Sequence, residues 1–141
     1  MIILEDYNVN IHKFISEAVE DFKTLHGNPD SIGIYCCPWA GWISINFNLT
    51  KSIQEAHHNC PDFEFVEFAP LDLPEWQNEY ESSDPNFRIG NTLISFEEEN
   101  ADEELNRNFF SYLLPIMKEK KNIYKCAILL QFLDSNCCKV L

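Results

Sequence analysis

Ser31-Ile32-Gly33-Ile34-Tyr35-Cys36 and Gly41-Trp42-Ile43-Ser44-Ile45-Asn46-Phe47, separated only by Cys37-Pro38-Trp39-Ala40, decide how this 141-residue chain folds. Both runs are rich in β-branched and aromatic residues, which predicts two strands, and the short Pro-containing connection suits a hairpin. In the second run Ile43, Ile45 and Phe47 alternate with Trp42, Ser44 and Asn46. That alternation is the pattern of a half-buried strand.

Helices are expected on either side of this hairpin in sequence. From Asn10 to His26 the residues Ile11, Phe14, Ile15, Ala18, Val19, Phe22 and Leu25 recur at three- and four-residue steps, one apolar stripe of a helix that Gly27 ends. Asn48 can cap a short helix from Leu49 to about Asn59, with Ile53, Ala56 and His57 on one side and Pro61 as its stop. Phe63 to Phe68 reads as a third strand with imperfect alternation, suited to a sheet edge where charge discourages further pairing. Ala69 to Phe96 resists regular assignment: Pro70, Pro74 and Pro85 interrupt it, and Trp76, Tyr80 and Phe87 stand among carboxylates.

Asn100 opens a second long helix, with Glu103 three residues on as in a capping box. Leu105, Phe109, Tyr112, Leu113, Ile116 and Met117 give its stripe, and Pro115 is expected to kink or split it. Ile123 to Leu133 is near-continuously apolar, as a central strand buried on both faces would be, and Cys137 to Leu141 can return as a short last strand. The expected fold is therefore one α+β domain, residues 1–141, with a mainly antiparallel sheet packed against two long helices and one short helix.

Composition supports a self-sufficient core. Apolar residues make up 45% and aromatics 13%, enough to pack without metal or disulfide support. The opening Met1-Ile2-Ile3-Leu4-Glu5-Asp6 lacks the basic and long apolar regions of a secretory signal, and no apolar run approaches the roughly 20 residues of a membrane helix. A cytoplasmic protein is expected, with Cys36, Cys37, Cys60, Cys126, Cys137 and Cys138 as reduced, mostly buried thiols.

Charge is the most informative feature. Net charge is −13, and fourteen acids fall between Asp62 and Glu104 with Arg88 as the single base among them. Elsewhere nine acids balance nine bases. Such a concentration has two readings: a solvated face with an acidic helix start, or an electrostatic footprint for a basic partner. Its sign argues against direct nucleic-acid binding, which needs a basic stripe. On the binding reading the expected contacts are Asp72, Glu75, Trp76, Glu79, Tyr80, Glu81 and Asp84, with Glu97, Glu98 and Glu99 as a second patch. Aromatic anchors ringed by charge are a common composition for interface hot spots. Trp76 and Phe87 equally suit pinning the segment to the core.

Catalytic chemistry has weaker signals. His57, His58 and Cys60 are close in sequence, but no paired ligand spacing of a zinc site occurs, and neighbouring helical residues diverge by about 100°. Cys36 or Cys37 with His57 is the one thiol–base pair to consider, although an acidic chain raises a thiol pKa instead of lowering it. Four glycines form no phosphate-cradling motif, and no pair of carboxylates stands out from the rest. No catalytic, metal or cofactor residue is expected.

The layout resembles small bacterial immunity proteins that neutralise polymorphic or contact-dependent toxins. The resemblance lies in the helix Ile11–Leu25 followed by Ile32-Gly33-Ile34-Tyr35, the Leu71-Asp72-Leu73-Pro74-Glu75-Trp76 stretch, and the late helix leading into Tyr124–Leu130. It implies a non-catalytic cytoplasmic protein whose partner is a cognate toxin domain, commonly a nuclease with a basic phosphate cleft. The alternatives are a nucleic-acid mimic acting on a DNA-binding protein and a small cysteine- or metal-dependent enzyme.

Overall fold

The computed structural model describes all residues, Met1–Leu141, as an α+β fold. The two predicted hairpin strands are β2 (Ser31–Cys37) and β3 (Trp42–Asn48), paired antiparallel from Ser31↔Asn48 to Cys37↔Trp42. Before them come β1 (Ile2–Ile3) and helix α1 (Asn8–His26). After them come β4 (Phe65–Asp72), helix α2 (Pro74–Tyr80), β5 (Phe87–Ile89), β6 (Thr92–Leu93), helix α3 (Ala101–Tyr124), β7 (Ala127–Phe132) and β8 (Cys138–Val140). The main sheet runs β4-β3-β2-β7-β8, and a small second sheet runs β1-β5-β6.

Three of the four ladders of the main sheet are antiparallel, and β2 pairs with β7 in parallel. The return from β2 to β7 spans most of the chain and includes α3, as a parallel pair requires a long crossover. The apolar Ile123–Leu133 segment is thus the last turn of α3 followed by β7, in which Ile128, Leu129 and Leu130 are all buried. β4 is an edge strand, as its mixed alternation predicts.

One face of the sheet carries the helices. Ile32, Ile34, Ile43, Ile45, Phe47, Ile128 and Leu130 share a core with Ile11, Ile15, Val19 and Phe22 of α1 and Leu105, Phe109 and Leu113 of α3. Phe22 stacks on Phe47 at 4.2 Å and meets Phe65 and Phe68 edge-on, so one side chain fixes α1 across β3 and β4. Leu25, expected on this stripe, is exposed in the last turn of α1.

The opposite face is covered too, contrary to the half-buried pattern of β3. Residues 49–64 fold back across it, and Ile53, Ala56, Cys60 and Phe63 pack on Leu129. The predicted helix Leu49–Asn59 does not form: the segment is a chain of turns in which His57 and His58 both adopt left-handed backbone (φ 57° and 51°). Burial of Ile53, Ala56, Cys60 and Phe63 against the sheet outweighs helix propensity here, and both histidines point away into solvent. Gly33 makes the close approach possible, since a Cβ there would sit 2.8 Å from the Phe63 ring and 2.9 Å from Cys60 Sγ.

The polar residues of β3 serve this second layer. Asn46 Nδ2 donates to Gly33 O at 3.1 Å, and its Oδ1 accepts the Glu67 N–H at 2.7 Å. Asn48 Oδ1 accepts the Glu64 N–H at 3.1 Å. Glu64 in turn clamps the segment: its Oε1 accepts the N–H groups of Leu49, Thr50 and Lys51 at 2.9, 2.7 and 2.6 Å, and Oε2 accepts the Thr50 hydroxyl. Although desolvation opposes the charge, these donors hold the carboxyl down at about 2.

The Asn46 bond holds a bulge in β4. Ile45 pairs with Ala69 and Phe47 with Phe65, so Val66, Glu67 and Phe68 face a single residue, and Glu67 lies in left-handed backbone (φ 49°). A non-glycine residue there costs about 1–2 kcal/mol. The strand consequently runs Phe65–Asp72, not Phe63–Phe68.

The stretch 69–96 that lacked a regular reading holds the end of β4, α2 and two short strands. Pro74 starts α2 at a position where its missing N–H costs nothing. The short helix of the fold is therefore here, not at residues 49–59. Gly41 makes its docking possible: φ is +72°, a Cβ would stand 2.3 Å from Leu73 O, and Gly41 O accepts the Leu73 N–H at 2.7 Å. α3 runs unbroken through Pro115, which faces solvent, so the carbonyl it leaves unbonded is open to water.

Candidate functional site

The acidic segment is brought to a focus where α2 ends and α3 begins. A cleft of about 250 Å³ lies there, lined by Tyr80, Glu98, Glu99, Asp102, Glu103 and Asp134 among others. Three separate parts of the chain build it. Tyr80 closes α2, residues 98–103 enter α3, and Asp134 sits in the β7–β8 turn with left-handed backbone (φ 50°).

Hydrogen bonds between these parts fix the cleft. The Tyr80 hydroxyl donates to Asp102, and burial followed by that bond and the Asp102 charge pushes the phenol well above its ordinary value. Glu103 Oε1 accepts from the Ser135 hydroxyl at 3.0 Å and from Cys137 Sγ at 3.6 Å, tying the turn to the helix. At the start of α3 the side chain of Asn100 makes no capping bond. Glu104 reaches back instead and accepts the Glu97 N–H at 2.6 Å, so the expected Asn100–Glu103 box is replaced by a carboxylate one residue later.

Some of this acidity suits the helix itself, because Asp102, Glu103 and Glu104 occupy the first turn of α3 at the positive end of its dipole. Asp134, Glu98 and Glu99 lie outside that helix. The protein contains two ion pairs, the Met1 amine with Glu79 at 2.5 Å and Lys13 with Glu17 at 3.8 Å, and neither involves an acid of the cleft. Five carboxylates thus converge on one open volume without a paired cation.

The expected contact residues divide unevenly. Tyr80, Glu98 and Glu99 line the cleft, and Glu97 stands exposed beside it. Glu81 and Asp84 are exposed on the segment after α2, with Glu81 accepting from Gln77 Nε2 at 3.0 Å. Glu79 is mostly covered: the Met1 amine, the Asn86 N–H and the Ser82 hydroxyl surround its carboxylate, and the bond to the amine is the main cause of its lowered pKa. Glu75 is exposed near Tyr7, whose hydroxyl is pushed up to about 12 by burial and then by the Glu75 charge. Asp72 belongs to a different cavity, beside Trp42 and Glu67.

Trp76 is not a contact. It is fully buried, edge-on to Tyr7 at 5.2 Å and to Phe109 at 4.8 Å. An indole in a short helix gains more from filling the space between α2 and α3 than from solvent exposure, so the aromatic anchor expected there is a core residue.

Asp134 was hidden from a sequence reading, because only the β2–β7 pairing brings its turn beside residues separated from it by thirty positions and more. Asp102 and Glu103 stood within the acidic run but read as helix-start residues. Trp42 carried a faint signal, a large aromatic on the otherwise polar side of β3.

Cys36 and His57 do not form the pair the sequence raised. Cys36 lies fully buried in the helix-side core, whereas the segment bearing His57 covers the opposite face of the sheet. Burial, and to a smaller degree the Cys37 neighbour, raises the Cys36 thiol. Cys37 is pushed up to about 11 by burial, relieved by a backbone bond with Ala40 and reinforced by Asp102 and Asp134. No group of three or more His, Cys, Asp and Glu side chains has the geometry to hold a metal ion. No helix is long and apolar enough to cross a membrane.

Comparison with known proteins finds no matching family, no matching curated protein and no matching solved structure.

Proposed function

We propose that this chain is a binding protein that captures and neutralises a basic protein domain, in the manner of an immunity protein acting on a nuclease toxin. The observation that carries the reading is the cleft at the α2–α3 junction, where Glu98, Glu99, Asp102, Glu103 and Asp134 converge without a paired cation. Like charges gathered on one surface without a paired cation repel, and a cationic partner surface would offset that repulsion.

A nuclease recognises phosphates with Lys and Arg, and a cleft of fixed carboxylates presents a complementary charge to the same residues. Exposed acids on the flanking segments (Glu81 and Asp84 after α2, Glu97 before α3) extend the field and speed the encounter. Tyr80, held by Asp102, supplies an aromatic edge within the charged rim. Inhibition then follows from occupation: a toxin whose basic cleft is covered cannot approach nucleic acid.

The test is affinity capture of the tagged protein from the cell that makes it, at low and at moderate salt. A stoichiometric basic domain, released as salt rises and enzymatically silent while bound, is the expected result. A captured housekeeping DNA-binding protein whose release is driven by added DNA would replace this reading with nucleic-acid mimicry. Absence of any stoichiometric partner while a toxin is being produced would overturn it.

A further inference from the structure

We propose that the open half of the sheet's second face holds a docking pocket for an arginine side chain of a basic protein partner, with Trp42 as its platform and Glu67 and Asp72 as its counter-charges. The inference rests on the binding reading above and adds a second contact, which shares no lining residue with the α2–α3 cleft.

The covering segment 49–64 stops short of this half of the sheet. A cavity of about 220 Å³ remains, lined by Trp42, Ser44, Glu67, Pro70 and Asp72 with Ile43 at its base. Its size suits the head of one side chain, since pockets for whole small molecules run from roughly 300 to 1,000 Å³. Trp42 is partly exposed, lines the cavity, and is braced edge-on by Tyr35 at 5.5 Å. Asp72 is its direct partner across the β3–β4 ladder.

Glu67 reaches the cavity because of the β4 bulge. Its left-handed backbone is a conformation that glycine or asparagine adopts at lower cost, and the bond from its N–H to Asn46 Oδ1 keeps it there. A strained residue whose side chain lines a cavity is where function is first sought.

The charged groups that line the cavity are both carboxylates, which only accept. The Glu67 and Asp72 carboxylates receive neither an ion pair nor a hydrogen bond from the protein, in contrast to Glu64 and Glu79 nearby in sequence. Ser44, only 3% exposed, has an Oγ that receives a single long bond of 3.4 Å from Asn46 Nδ2. The complementary ligand is cationic, rich in N–H donors and flat enough to lie on an indole. A guanidinium meets all three conditions, and a lysine ammonium meets only the first two.

The test uses the whole protein and three short blocked peptides, Gly-Arg-Gly, Gly-Lys-Gly and the neutral Gly-citrulline-Gly, followed by two-dimensional 15N NMR. The arginine peptide should give a saturable shift of the Trp42 indole N–H, identified through Trp42→Phe, together with the amides of Ser44 and Asp72. Glu67→Gln with Asp72→Asn should weaken that binding at least about ten-fold, while the same spectra report that the variant is folded. Glu98→Gln with Glu99→Gln should leave it unchanged.

Citrulline binding as strong as arginine, shifts centred on Glu98 to Asp102, or no shift at the solubility limit of the peptide would each overturn the pocket. Equal binding of the lysine peptide would overturn the assignment to arginine. These outcomes do not touch the cleft: a partner captured by wild type and by Trp42→Phe alike removes the pocket and leaves the function proposed above, and peptide binding without any captured partner does the reverse.

Discussion

Replacing Glu64 by Gln tests whether one carboxylate holds the second layer of the fold. Glutamine keeps a carbonyl oxygen able to accept from the Leu49, Thr50 and Lys51 amides, so the substitution removes charge and little shape. The folded carboxyl titrates at about 2, and an unfolded glutamate at about 4.3. A gap of that size has a ceiling of about 3 kcal/mol; because Glu64 is exposed, solvent screening reduces the expected contribution to about 1 kcal/mol. A depressed folded pKa gives stability that is complete above the unfolded value and is lost as pH falls through the folded one. Urea unfolding should therefore place the Gln variant about 1 kcal/mol below wild type at pH 7, with the difference shrinking below about pH 4 and gone near pH 2. Hydrogen exchange should show the Leu49–Lys51 amides opening first. Equal stability at pH 7, with the Glu64 carboxyl carbon titrating near 4 by NMR, would refute the clamp.

Three other outcomes follow from local geometry. Glu67→Gly should raise stability by about 1 kcal/mol by relieving the left-handed backbone, and thermal or urea unfolding that shows a loss instead would mean the glutamate side chain supports the fold. Gly41→Ala should destabilise by about 3 kcal/mol, since it combines a positive φ with a Cβ 2.3 Å from Leu73 O; a variant with wild-type unfolding would contradict the docking of α2. Alkylation of the native protein near pH 8 should modify Cys138 first, the one exposed cysteine, and leave Cys36, Cys37 and Cys60 protected until unfolding. Rapid modification of Cys37 in the folded state would instead point to a reactive thiol and revive an enzymatic reading.

Periodicity carried the parts of the fold that depend on local pattern. The stripe from Ile11 to Phe22 and the alternation of Ile43, Ile45 and Phe47 each describe a surface that meets the helix-side core, and the unbroken apolar run of β7 a strand covered on both faces. The helix expected over Leu49–Asn59 gives way because helix propensity there is weaker than the gain from laying Ile53, Ala56, Cys60 and Phe63 across the sheet, a long-range effect that no short window contains. α2 went unseen behind Pro74, read as an interruption when it starts the helix. The concentration of charge was legible, as was the edge position of β4. Which carboxylates meet was not, because Asp134 and Glu67 reach their cavities through a distant strand pairing and a backbone bulge. Trp76 shows the limit of composition: an aromatic among acids reads as an anchor until packing places it between Tyr7 and Phe109.

The most direct test of the proposed function is quantitative capture by wild type and by a variant carrying Glu98→Lys, Glu99→Lys and Asp134→Lys, with fold checked by circular dichroism. Wild type should retain a stoichiometric basic protein at low salt and lose it progressively as salt rises, and the reversed variant should fail to retain it at any salt. Equal retention by the two, with the same salt dependence, would contradict the assignment of the cleft as the binding surface.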